Sequence, residues 1–176
     1  MALGQWIDEG APACSGEDGP TVIPGGPIHF GGPPARFDSR ASIECAYEQI
    51  ATGGNAESPL VQPGFDSIGC HTREGEGPRF TYAGAIHASL TDMDGCRGVP
   101  GVSVELIDPA GATFARTTTN AGGNFSFRDA SREEYRVRLA YQVRLREMQT
   151  PASDGACASC HAAAPRDGAP GRIVVP

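Results

Sequence analysis

The sequence predicts a mainly β chain, an antiparallel β-sandwich with an irregular Gly/Pro-rich N-terminal arm, one short helix and a C-terminal haem-binding segment. Three observations predict it. From Arg79 to Leu145, apolar and polar residues alternate with a period of two between turns rich in Gly, Pro and Asn. With Gly 24 and Pro 15 among 176 residues, long helices are disfavoured. Cys157-Ala158-Ser159-Cys160-His161 has the spacing by which two thiols and an imidazole take a c-type haem.

Residues 1–36 form the arm. Pro24-Gly25-Gly26-Pro27 and Gly31-Gly32-Pro33-Pro34 interrupt any period, so extended irregular backbone is expected, ordered against a neighbouring subunit or against its own domain through Cys14. Residues 37–78 hold a helix over Ser39–Ala51. Ser39 caps it, Ile43, Tyr47 and Ile50 line one side, and Gly53-Gly54 stops it. Ser67-Ile68-Gly69-Cys70-His71 follows. Residues 79–147 carry the sandwich: Phe80 to Ser89, Val102 to Ile107, Thr113 to Thr119, Phe125 to Phe127, and Tyr135 to Leu145 read as strands. In the last of these Tyr135, Val137, Leu139, Tyr141, Val143 and Leu145 share one face, and Arg136, Arg138, Arg144 and Arg146 share the other. Asp92-Met93-Asp94-Gly95 is too short for a calcium loop and is expected to be a solvated turn. Residues 148–176 hold the haem attachment segment.

Tyr82-Ala83-Gly84-Ala85-Ile86, Gly98-Val99-Pro100-Gly101-Val102-Ser103-Val104 and Thr117-Thr118-Thr119-Asn120-Ala121-Gly122-Gly123-Asn124-Phe125-Ser126-Phe127 together resemble the carboxypeptidase regulatory-like domain, a transthyretin-like sandwich. That resemblance implies a non-catalytic scaffold. A sandwich between an upstream Cys-His pair and a downstream Cys-x-x-Cys-His further resembles secreted bacterial c-type cytochromes. The run from Ala51 to Leu60, with its Gly-Gly turn and Ser-Pro-Leu, is similar to a segment of bacterial cytochrome c domains, which implies His71 as an axial ligand.

One helical turn puts Cys157 and Cys160 on one side, where two haem vinyl groups would sit, and swings His161 under the iron. The same residues also suit a Cys157–Cys160 disulfide or half of a zinc site. For Cys70 and His71 three readings stand side by side. Cys70 holds a second haem by one thioether with His71 as ligand; His71 is a distal ligand to the haem at His161; or Cys70 is disulfide-bonded to Cys45 or Cys96. Ser67 stands where a full second motif would carry Cys. Met148, His71, His87, His29 and Met93 are candidate distal ligands, Met148 because its strand leads into the motif.

Six cysteines point to an oxidising compartment, periplasmic or extracellular, with a leader peptide taken as removed. Net charge is −7, and Met1 to Phe80 holds 11 acidic and 4 basic residues against 10 and 10 in the remainder. That imbalance argues against a nucleic-acid partner. No apolar run is long enough to span a bilayer. No arrangement of the four histidines suggests an enzyme. The leading expectation is an electron-transfer c-type cytochrome with one haem c and room for a second. Its partners would be a redox protein or neighbouring copies of itself in a homo-oligomeric assembly. The alternative is a disulfide-stapled β-sandwich adhesion or structural module without haem.

Overall fold

A computed structural model describes residues 45–47, 60, 63–75 and 77–176. The expected arm, and the Ser39–Ala51 helix apart from residues 45–47, lie outside them. Where that helix can be seen it is a bend. The local reason is that the Ala46 amide donates to Asp92 Oδ1 at 2.9 Å, while Cys45 is drawn into a disulfide with Cys96.

Helix α1, Ser67–Glu74, takes the place of the expected upstream motif. Its ends are written in the sequence: Asp66 Oδ1 accepts from the Gly69 amide at 2.9 Å, and Gly75 closes the helix at φ 71°, a left-handed conformation that glycine adopts without a Cβ clash.

The strands follow as β1 Tyr82–Ala85, β2 Ser103–Ile107, β3 Thr113–Thr118, β4 Asn124–Phe127, β5 Arg136–Tyr141 and β6 Arg144–Glu147. They form two antiparallel sheets, β1-β4 and β3-β2-β5-β6. Alternation does what it predicted in β2, β4 and β5: Val104, Leu106, Phe125, Phe127, Val137 and Leu139 are buried. With Tyr82, Ile86, Val99, Val102, Tyr135 and Cys157 they make one core shared by both sheets. Tyr82 is its aromatic centre, 4.5 Å from the Tyr135 ring and 6.4 Å from Phe127. The mainly β sandwich is therefore present.

Its last strand differs from expectation. Gln142, at φ 53°, and Val143 form a two-residue reversal, so that Tyr141 pairs with Arg144 and Leu139 with Arg146. Directly opposed residues share a face, so Arg144 and Arg146 lie on the side of Leu139 and Tyr141, away from Arg136 and Arg138. Leu145 is turned outward and 71% exposed. The expected face of four arginines does not exist. Reading one period through a hairpin misses that the chain turns over. Arg136 and Arg138 are also already occupied, in a cross-strand row where Glu105 faces Arg116 and Arg138, and Glu147 faces Arg138 and Arg136. Each such half-exposed pair contributes about 0.2–1 kcal/mol.

Residues 92–95 also depart from expectation. Asp92 is buried, and besides Ala46 it accepts from the Ser89 amide. It shares a cluster with the fully buried Arg172, whose guanidinium donates to the carbonyls of Asp92 at 2.9 Å and Gly64 at 2.8 Å and pairs with Asp94. His87 lies there too, its Nδ1 3.8 Å from Asp92. Burial, with the Arg172 charge second, lowers the His87 pKa to about 4. The C-terminal residues thereby close over the sandwich, the His87 amide donating to the Ile173 carbonyl at 2.7 Å.

Candidate functional site

A single helical turn, α2 Cys157–Cys160, sits against β1. Asp154 prepares it: its Oδ1 accepts from the Ala156 amide at 2.9 Å, the self-bonding turn that a short acidic side chain favours. Gly155 then passes so close to β1 that a Cβ there would stand 1.8 Å from the Thr81 carbonyl oxygen. That approach lets the Ala83 amide donate to the Gly155 carbonyl at 3.0 Å. The Tyr135 hydroxyl donates to the Asp154 carbonyl at 2.7 Å. Gly84 completes the fit, because a Cβ at that position would meet the Phe125 ring at 2.9 Å and Cys157 Cβ at 3.0 Å.

Both cysteines of the turn are free thiols, in unlike surroundings. Cys157 is a core residue, its sulfur 3.9 Å from the Tyr135 hydroxyl. Burial pushes its pKa up to about 11 and pushes the Tyr135 phenol well above its ordinary range. Cys160 is partly exposed and donates to Asp167 Oδ2 at 3.5 Å. His161 Nδ1 lies 2.9 Å from the Gly171 carbonyl oxygen. A groove of about 720 Å³ opens beside the turn, and Met148, Leu139, Arg146, Cys157, Cys160 and His161 contribute to its lining.

The structure thus gathers Cys157, Cys160, His161 and Met148 at one groove and leaves the other expected site residues elsewhere. Cys70 is buried and disulfide-bonded, and its sulfur is not open to a thioether. Since Cys45 and Cys96 pair with each other across 51 residues, neither is the partner of Cys70 that the sequence suggested. His71 packs 5.7 Å from the Phe80 ring. His87 belongs to the Arg172 cluster, Met93 lies on the surface, and His29 is outside the described residues. Sequence reading missed Arg172, Asp92 and Tyr135 as organising residues. Each looked like an ordinary surface or strand residue, and the only available signal was an arginine set in an apolar C-terminal run, Arg172-Ile173-Val174-Val175.

The family model for the SdrD B-like domain matches residues 89–167. The match runs from the loop before β2 through all of β2–β6 and the cysteine turn. No curated protein and no solved structure matches the chain. The SdrD B-like domain is a β-sandwich of adhesin type and not an enzyme family. This corrects the cytochrome, haem and iron reading. The domain that carries Cys157 and Cys160 is matched as a structural module, and among the described residues no group of three or more His, Cys, Asp or Glu side chains is placed to hold a metal ion. The physical cause of the misreading is local. Cys-x-x-Cys-His specifies only one helical turn and its successor, and here that turn is built into the sandwich core through Cys157 and Tyr135. Residues 89–167 match an SdrD B-like domain, a β-sandwich module.

Proposed function

We propose that the chain serves outside the cytoplasm as a disulfide-stapled β-sandwich module with an adhesive or structural role. The observation that carries this reading is the SdrD B-like match over residues 89–167, on a sandwich whose loop is tied back by the Cys45–Cys96 disulfide. Three further features support it. The disulfide suits an oxidising compartment. No helix among the described residues is long and apolar enough to cross a membrane. The shared core packs the two sheets together, the ion row links neighbouring strands of the larger one, and the C-terminal residues bond to the segment after β1, the contacts a structural spacer needs. The likeness to carboxypeptidase regulatory-like domains suits the same role, since those too are scaffolds. The test is single-molecule stretching of the whole chain by its ends under oxidising conditions. The sandwich should yield in one cooperative force peak that releases the roughly 80 residues beyond Cys96, about 270 Å of chain. Extension without a force peak overturns the reading.

A further inference from the structure

We propose that Cys157 and Cys160 form a thiol–disulfide exchange pair, in which Cys160 meets an external disulfide in the groove and Cys157 resolves the product. The proposal is independent of the mechanical role. Two thiols three residues apart on one helical turn have Cα atoms about 5 Å apart, inside the window of roughly 4.4–6.8 Å that a disulfide accepts. Neither sulfur is already paired. Their settings divide the labour: Cys157 is 8% exposed and packed in the core against Tyr135, whereas Cys160 is partly exposed at the groove. An incoming disulfide therefore reaches Cys160 first. The groove, about 720 Å³, accepts a small-molecule disulfide, and Arg146 in its lining offers a cation to an acidic one. Gly84 allows the turn to lie flush on β1, so the pair is held by the sandwich and not by a mobile loop.

The chemistry balances. The Cys160 sulfur, once deprotonated, attacks one sulfur of an external disulfide, forming a mixed disulfide and expelling one thiolate. Cys157 then attacks the Cys160 sulfur, forming the Cys157–Cys160 bond and expelling the second thiolate. The two protons lost by the protein thiols end on the two departing thiols, so the protein is oxidised by two electrons and the external disulfide is reduced to two thiols.

The test uses the whole chain with its structural disulfides intact and, as intact mass verifies, Cys157 and Cys160 both as thiols, any bond between them first opened by brief mild reduction, and oxidised glutathione as the probe. The wild type should lose the mass of two hydrogens and both alkylatable thiols. Cys157→Ala should trap a glutathione adduct on Cys160, at least tenfold more than Cys160→Ala traps on Cys157. A second measurement needs no variant: iodoacetamide should label Cys160 of the native chain at least tenfold faster than Cys157. Equal labelling, no loss of thiols in the wild type, or sulfurs blocked by a group that reductant does not remove overturns the proposal.

Discussion

Removing the staple by the double change Cys45→Ala and Cys96→Ala should cost about 4 kcal/mol. The figure follows from the length of the closed loop. The disulfide joins residues 51 apart, and closing about 50 residues in the unfolded chain costs about 14 cal/mol/K of entropy, or about 4 kcal/mol at room temperature. Cys96 is fully buried, so trimming its sulfur adds a small packing loss in the same direction. Domains of this size have about 5–15 kcal/mol of stability in all, and the loss should lower the melting temperature by about 8–16 °C. Thermal unfolding followed by far-ultraviolet circular dichroism at neutral pH gives the shift, and urea titration gives the free energy. Hydrogen exchange adds a local readout, since the Ala46 amide is held by Asp92 at 2.9 Å only where the staple brings the two segments together. Its protection should fall more than that of the β2 amides. A loss below about 1 kcal/mol with Ala46 still protected would refute the reasoning, because the segment would then be held without its disulfide.

Other consequences follow from the core and the C-terminal closure. The folded-state pKa of His87 is lowered to about 4 from 6.5. Between those values the unfolded chain binds a proton that the folded chain refuses, so stability is lost as pH falls from about 6.5 to 4, by an amount on the order of 3 kcal/mol; in urea titrations His87→Phe should flatten that part of the pH profile. Arg172→Met removes the donor to the Asp92 and Gly64 carbonyls, and should cost about 3 kcal/mol in the same titrations. Gly84→Ala forces a methyl group against Phe125 and Cys157, and should cost about 1–3 kcal/mol while raising Cys157 alkylation as the turn lifts off β1. The Thr119 hydroxyl donates to the Val99 carbonyl at 2.8 Å and accepts from the Val102 amide at 2.9 Å, so Thr119→Val, nearly the same shape, should cost about 1–3 kcal/mol by thermal melting.

The strands were legible because a half-buried strand must alternate, and Val104 with Leu106 or Phe125 with Phe127 cannot both face water without losing the core. The β5–β6 hairpin was not, because Gln142-Val143 lacks the Gly or Asn that usually marks a two-residue turn, and the alternation seemed to run on through it. Helix α1 carried its own signals in Asp66 and Gly75, but attention to Cys70-His71 as a ligand pair hid them. At the candidate site, the gathering of Cys157, Cys160 and His161 follows from adjacency alone. What adjacency does not encode is environment: whether a thiol faces a groove or a tyrosine is decided by residues 22 positions away, as Tyr135 is from Cys157. Arg172 is a still longer case, its partners lying 80 and 108 residues back.

The central claim, a stapled sandwich whose cysteine turn carries thiol chemistry and not haem, is tested most directly by intact mass and visible absorption of the chain recovered from an oxidising compartment. The account predicts the polypeptide mass with Cys45–Cys96 and the disulfide of Cys70 closed, Cys157 and Cys160 either as thiols or joined to each other, and no Soret band. A mass excess of one haem mapped to the Cys157–Cys160 peptide, with a Soret band that denaturant and reductant do not remove, would contradict it.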